Sequence, residues 1–128
     1  MLPLCADQGV AVVPWSPLAR GRLARDWSTR TARSADDAYG DSLYTASVEA
    51  DRKVVARVSE VAARHGVSRA QVALAWLLQN PVVIAPVVGV TKPQHLDDAL
   101  AALDLDLAAE ESAALEQPYV PHAVAGFE

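Results

Sequence analysis

The sequence predicts an α/β fold in which short parallel strands alternate with helices. Two apolar runs support this prediction, residues 10–13 and residues 82–88, and each ends at a proline or a glycine before a loop or a helix. A run that is apolar at nearly every position is typical of a strand buried on both faces. Pro86 interrupts the second run and removes a backbone donor, so we expect a strand end or an irregularity there.

Helices surround the two runs, and local chemistry marks their ends. Gly66 follows a stretch with valines at helical spacing and is in place to end that helix. Ser68 and Gln71 have the spacing of a capping box, which begins the next helix and carries it to Pro81. The predicted helices are residues 2–8, 49–65, 69–80, 93–103 and 108–115, and residues 20–44 are predicted to form a long surface loop.

Two strands are too few for a complete sheet with its own core. Each leaves unpaired backbone N–H and C=O groups along at least one edge, and such edges favour pairing with a further strand or with another copy. The chain is therefore expected to form part of a larger barrel.

Composition places the chain among globular proteins and excludes two classes of partner. Of 128 residues, 52% are hydrophobic and 21% are charged, which favours one globular unit with a core. The formal net charge of -5 argues against nucleic acid binding, which needs a basic surface. No apolar run approaches the roughly 20 residues of a membrane-spanning helix, and the single Cys5 cannot form an internal disulfide. We therefore expect a cytoplasmic protein with no nucleic acid and no membrane partner.

The end of the second apolar run has the residues of an anion site. Thr91 can cap a helix that begins near Pro93, and Gln94, three residues later, can complete a capping box. The backbone N–H groups at such a helix start favour a phosphate, with Lys92 beside them and Gly89 allowing close approach. The alternative is an ordinary capped helix that binds no ligand.

Three stretches of the chain resemble, in the same order, segments of the aldo-keto reductases. The family's seventh strand and following loop are similar to PWSPLARGRL (residues 14–23), and its eighth strand, phosphate loop and next helix are similar to APVVGVTKPQHLDDAL (residues 85–100). Between them, a helix motif of the family is similar to VSRAQVALAWLLQNP (residues 67–81). The resemblance implies NADPH-dependent reduction of carbonyl compounds by a (β/α)8 barrel.

The resemblance also implies a fold class and a domain organisation. The chain is expected to be the C-terminal fragment of a (β/α)8 TIM barrel, with two parallel strands and flanking helices. Residues 1–117 would form the barrel part, with the cofactor-binding loops after strands seven and eight, and residues 118–128 would form a C-terminal tail.

Two groups of residues match the family's cofactor-binding motifs. The loop after the first strand would line the pyrophosphate and nicotinamide side of NADPH, with Ser16 and backbone amides as polar contacts. An arginine of this loop would clamp the phosphates, with Arg20, Arg22 and Arg25 as the candidates. The implied residues of this group are Trp15, Ser16, Pro17, Leu18, Ala19, Gly21 and Arg25.

The second group follows the second strand. Gly89, Thr91 and Lys92 would hold the adenosine 2′-phosphate, which agrees with the phosphate sites that barrels form after strands seven and eight. His95 and Asp98 would stand near the adenine. The chain departs from the family here, because His95 stands where many members have Gln, and Asp98 precedes an alanine where many members have Glu-Asn.

Catalysis in this family uses a tetrad of Asp, Tyr, Lys and His, in which the tyrosine donates the proton. These groups come from the first half of the barrel, and this chain begins after them. The resemblance therefore assigns no catalytic residue here, and the isolated chain is expected to be inactive.

Two functional hypotheses remain open. In the first, the chain is the cofactor-binding part of an NADPH-dependent reductase of aldehydes and ketones, either as a truncated gene product or as a gene model whose start was placed at an internal methionine. Its partner is then a small-molecule carbonyl substrate of the full-length protein. In the second, the chain is a catalytically silent binding or assembly module that docks its open sheet edges against a copy of itself or against another half-barrel. The sequence leaves the carbonyl substrate and the preference for NADPH over NADH undecided.

Overall fold

The computed structural model describes residues 1–27 and 38–123. Six helices lie in these ranges: α1 Leu2–Asp7, α2 Ala38–Tyr44, α3 Val48–His65, α4 Arg69–Leu78, α5 Pro93–Ala101 and α6 Ala109–Glu116. Short 3-10 turns occupy Ala19–Gly21, Thr45–Ser47 and Ala102–Asp104. The structure places helices at all five predicted positions. The predicted loop at 20–44 is wrong at its end, where α2 forms, and its residues 28–37 lie outside the described residues.

Local hydrogen bonds set the junction between α3 and α4 as the sequence predicts. Gly66 ends α3 in the left-handed conformation (φ 67°), which suits a residue without a Cβ. Ser68 Oγ accepts from the Gln71 amide at 3.2 Å, and Gln71 Oε1 accepts from the Ser68 amide at 2.9 Å. This reciprocal pair is the predicted capping box, and it fixes where α4 begins.

The core lies on the helical side of the molecule. Helices α3, α4 and α6 pack together around side chains that are almost entirely removed from solvent, with Val61 and Val72 at the centre. The buried cluster consists of Val58, Val61, Ala62, Val72, Ala75, Leu107 and Leu115. Helix α5 packs on α4 but contributes no buried residue. The helices therefore form the packed layer of the described chain.

Two chain segments run parallel beside this layer, residues 10–15 (the first segment) and residues 82–87 (the second segment). The Val12 amide donates to the Val82 carbonyl at 2.7 Å, and the Ile84 amide donates to the Val12 carbonyl at 3.1 Å. These two bonds form a parallel bridge between Val12 and Val83. The prediction of two strands is not confirmed, because the described residues contain isolated bridges in place of regular strands.

Prolines interrupt the regular pairing after this first bridge. A regular parallel ladder would continue through the amides of residues 14 and 86, and both positions are proline, which has no N–H. The Pro14 carbonyl instead accepts from the Val87 amide at 2.9 Å. The next bridge joins Trp15 to Val87, so the second segment has gained one residue relative to the first. The irregularity predicted at Pro86 is confirmed, and it explains why no regular strand forms.

The two segments are also less buried than predicted. Val13 is 52% exposed and Ile84 is 64% exposed, whereas Val83 is buried. The prediction that both segments are buried on both faces is wrong for the described chain. Among the described residues, each segment is bridged to the other one alone, so no further strand lies beside the pair.

No helix in the described ranges combines the length and the apolar character that a membrane span requires.

Candidate functional site

The two predicted cofactor loops leave the paired segments at the same edge. Trp15 pairs with Val87, so residues 16–27 (the first loop) and residues 88–92 (the second loop) begin beside each other. In parallel pairing the carboxyl ends of both segments point in the same direction. The structure therefore brings together the starts of the two groups of residues that the sequence predicts.

The first loop begins with a tight turn that its own backbone closes. The Ala19 amide donates to the Ser16 carbonyl at 2.9 Å, and the Arg20 amide donates to Ser16 Oγ at 3.2 Å. The Gly21 amide donates to the Leu18 carbonyl at 2.9 Å. These three amides are satisfied within the turn, and the contact of other amides of this loop with a cofactor stays a prediction.

The backbone of this turn is left-handed at several residues. Ser16, Ala19 and Arg20 have φ values of 54°, 48° and 56°, and none of them is glycine. A left-handed non-glycine residue costs on the order of 1 to 3 kcal/mol, and such residues cluster where a loop serves a ligand. The turn is therefore a strained feature of the kind that functional sites contain.

Arg25 folds back over this turn. A Cβ placed on Gly21 would stand 3.5 Å from Arg25 Cζ and 3.6 Å from Arg25 Nε, so the guanidinium lies directly against the glycine. Gly21 itself has a φ of 90°. Of the three candidate arginines, Arg25 is thus placed against the turn that follows the first segment.

Arg22 points elsewhere. Its Cζ lies 5.3 Å from the centre of the Trp27 ring and 4.8 Å from the centre of the Tyr44 ring. These are cation–π distances. The Arg22 guanidinium thus lies against aromatic rings, and its role as a phosphate clamp stays a prediction. Sequence reasoning missed this stack, and the spacing of Arg22 and Tyr44 carries no signal for it.

The start of α5 differs from the predicted cap. The helix begins at Pro93, and Lys92 before it has extended backbone (φ -142°, ψ 148°), so Lys92 is the N-cap and makes no side-chain cap bond. A residue before proline is driven away from helical backbone, which places the boundary at Lys92 rather than at Thr91. The predicted capping box of Thr91 and Gln94 is wrong for this reason.

His95 makes the contact that the predicted box would have supplied. Thr91 Oγ1 lies 3.3 Å from His95 Nδ1, within hydrogen-bond distance. The His95 amide also donates to the Lys92 carbonyl at 3.0 Å. Thr91 and His95, two predicted site residues, are therefore in contact with each other and hold the turn that carries Lys92.

The second loop presents positive charge and open space. Lys92 is exposed, and no salt bridge joins it to another residue within 1–27 and 38–123. The first turn of α5 contains no acidic residue, so no carboxylate there neutralises the partial positive charge at the N-terminal end of the helix dipole. A Cβ on Gly89 would meet no atom within 4 Å. This arrangement can accept an anionic group at the helix start. Asp98 is half-buried in the second turn of α5, and its role near the adenine stays a prediction.

Parallel segments whose loops open at one edge beside a helix start are typical of α/β proteins, in which ligands bind at the carboxyl ends of the strands. The model of the Aldo/keto reductase family matches residues 1–119, and the chain belongs to this family.

Individual relatives agree with this assignment. Versiconal hemiacetal acetate reductase of Aspergillus parasiticus is 44% identical over 126 residues, which cover 97% of this chain and 36% of the relative. An aldo-keto reductase of Fusarium vanettenii is 39% identical, with 98% of this chain and 34% of the relative covered. A thermostable aldo-keto reductase solved in complex with the inhibitor epalrestat has a TM-score of 0.61 at 27% identity, over 92% of this chain and 33% of that one. The chain thus spans about a third of the length of these relatives.

Proposed function

We propose that the chain is the cofactor-binding part of an NADPH-dependent reductase of aldehydes and ketones, and that it carries no catalytic proton donor itself. The bridge between Trp15 and Val87 is the observation that supports this most directly. It puts the two loops that match the family's cofactor motifs at one edge, where a single dinucleotide can reach both.

The residues at this edge fit the chemical groups of NADPH. Lys92 and the start of α5 suit a phosphate, since a charged ammonium and a helix dipole both favour an anion. Arg25, folded over Gly21, places a second cation at the first loop. Trp15 is 64% exposed, so its indole is accessible to a flat ring. When bound, NADPH supplies the hydride, and these residues hold and orient it.

The test is a titration of the chain with NADPH, in which the fluorescence of the reduced nicotinamide reports binding. We expect saturable binding, weakened by about 1 to 3 kcal/mol in Lys92→Glu, because that change replaces a charge-assisted contact by repulsion. Lys53→Glu is the matched control, since Lys53 is also exposed but lies on α3. The proposal fails if the chain does not bind NADPH, or if Lys92→Glu and Lys53→Glu bind it equally well. Titration with NADH shows whether the 2′-phosphate is recognised.

The chemistry is tested by exchanging segments with a relative. This chain replaces the corresponding third of the Aspergillus parasiticus reductase, and the absorbance of reduced nicotinamide is followed with an aldehyde present. We expect the hybrid protein to consume NADPH and the isolated chain to leave it unchanged. Turnover of the aldehyde by the isolated chain would contradict the assignment of the proton donor to the rest of the barrel.

The exposed apolar side chains support a second candidate, a catalytically silent assembly module. Ile84 and Val87 on the second segment, together with Val13 on the first, present apolar surface that suits a further protein segment. The same titration distinguishes the candidates, because an assembly module has no need of NADPH. Stable oligomers without NADPH binding would favour the module.

A further inference from the structure

The first loop is anchored at Arg22 through both its backbone and its side chain. The Trp27 indole Nε1 donates to the Arg22 carbonyl at 2.9 Å. The Arg22 guanidinium lies over the same indole at 5.3 Å and over the Tyr44 ring, at the end of α2, at 4.8 Å. Arg52 on α3 also lies over Trp27, at 5.5 Å. We call Arg22, Trp27, Tyr44 and Arg52 the aromatic clamp.

This clamp ties the strained turn to the helices. Arg22 directly follows Gly21, and its amide donates to the Ala19 carbonyl at 3.1 Å. The left-handed backbone at Ala19 and Arg20 is unfavourable by itself, so neighbouring contacts must hold it. Asp26 adds a second attachment at the end of the loop through an ion pair with Arg69 at 3.2 Å, but Asp26 is largely exposed and such pairs contribute little.

We propose that Arg22 is a positioning residue for cofactor binding, acting through the aromatic clamp to hold the turn at residues 16–21 and the Arg25 guanidinium in place. The inference rests on the proposed function, since it assigns this turn to the cofactor. Arg22 does not contact the ligand in this account. Its planar guanidinium lies over two rings at once, which the compact ammonium of a lysine reproduces poorly.

Hydrogen exchange of the chain without cofactor tests the clamp independently of binding. In Arg22→Met we expect the amides of residues 19–25 to exchange about tenfold faster, the effect of losing two cation–π contacts, with the exchange of α3 and α4 unchanged. Arg22→Lys keeps the charge and should give a smaller acceleration. Arg57→Met is the control, because Arg57 lies on α3 and pairs with Glu60 at 2.6 Å. Loop exchange equal to that of the unmodified chain in both Arg22 variants overturns the proposal.

NADPH titration of the same variants tests the consequence for binding. The dissociation constant should rise about tenfold in Arg22→Met and less in Arg22→Lys, and it should stay the same in Arg57→Met. Faster loop exchange with an unchanged dissociation constant would show that the clamp does not support cofactor binding. That result would overturn this inference and leave the proposed function intact. Absence of NADPH binding by the unmodified chain would overturn the proposed function and this inference with it. If Arg22→Met loses its helical circular dichroism, the exchange rates and the dissociation constant of Arg22→Lys are compared with those of the unmodified chain instead.

Discussion

Gly21 is the residue where the conformation of the first loop depends most clearly on the absence of a side chain. Its φ of 90° lies outside the range that other residues adopt readily, and the Arg25 guanidinium lies against it. The neighbouring Ala19 and Arg20 are left-handed without being glycine, so the turn already stores strain. A residue with a side chain at position 21 would raise the conformational free energy of the turn further. The contacts of the aromatic clamp would then have to offset a larger conformational cost.

Substitution of Gly21 tests this account. We expect Gly21→Ala to lower the free energy of unfolding by about 1 to 2 kcal/mol, because the new Cβ is unfavourable at positive φ. The Cβ itself would stand in ordinary contact with Arg25, 3.5 Å away, so the cost is conformational rather than steric. Gly89→Ala is the control, since a Cβ there meets no atom within 4 Å and its φ is not left-handed. Urea unfolding of both variants measures the difference; equal stability would refute the argument from φ.

The candidate site residues were predictable because their chemistry is local and the family motifs contain them. Gly89 and Lys92 lie in the second loop as expected, with open space and an exposed charge. The contact between Thr91 and His95 was not predictable in the same way, because it depends on which residue begins α5. The roles of individual residues toward NADPH remain predictions until the titrations are made.

At the scale of elements, an ion cluster joins the end of α3 to the start of α6. Glu111 Oε2 lies 2.9 Å from His65 Nε2, and Glu111 Oε1 lies 3.4 Å from Arg64. Glu111 Oε2 also accepts from the Ala108 amide at 3.1 Å, which is the carboxylate half of a capping box. The hydrogen bond with His65, followed by the bond from Ala108, lowers the pKa of Glu111 below its ordinary value of 4.5.

The lowered pKa predicts how stability depends on pH. Because the folded chain favours the carboxylate, the contribution of Glu111 is present above pH 4.5 and is lost as the pH falls through its lower folded pKa. We expect Glu111→Gln to destabilise the chain at neutral pH, with a difference from the unmodified chain that shrinks below pH 4.5. Urea unfolding over a pH series measures this. Glu110→Gln, on the adjacent exposed residue, should show no such trend, and an identical trend in both variants would contradict the assignment.

The pairing of the two segments also belongs to this scale. Pro14 and Pro86 occupy the two ladder positions that follow the first bridge, so the backbone cannot continue a regular ladder there. The sequence shows both prolines, but their shared position on one ladder is visible only when the register of Val12 and Val83 is known.

At the scale of the whole molecule, several apolar residues of the paired segments are largely exposed. Ile84 is 64% exposed and Val13 is 52% exposed, although both lie in runs that would be buried in a complete barrel. The chain spans 36% of the Aspergillus parasiticus relative, in agreement with a surface that further barrel elements cover. Without such elements, the surface favours self-association.

The isolated chain is therefore expected to form oligomers in solution through this surface. The double variant Val13→Glu and Ile84→Glu should shift the chain toward a monomer, because charged side chains oppose edge pairing and apolar contact. Val120→Glu is the control, since Val120 is 57% exposed but lies in the C-terminal tail. Sedimentation velocity measures the distribution of species. A monomeric unmodified chain, or an equal shift in the control, would contradict this prediction.

The sequence by itself determined the family and the helix boundaries at Gly66 and Ser68. It also determined the two apolar segments, because each of these depends on neighbours within a few residues along the chain. Only the tertiary structure decided that the regular ladder is interrupted at the two prolines and that the Arg22 guanidinium lies against the Trp27 and Tyr44 rings. The register of the two segments and the contact of Arg22 with Tyr44 join residues far apart in sequence, and their geometry depends on how the chain packs. Helix and strand propensities depend on nearby residues, so they do not predict contacts of this kind.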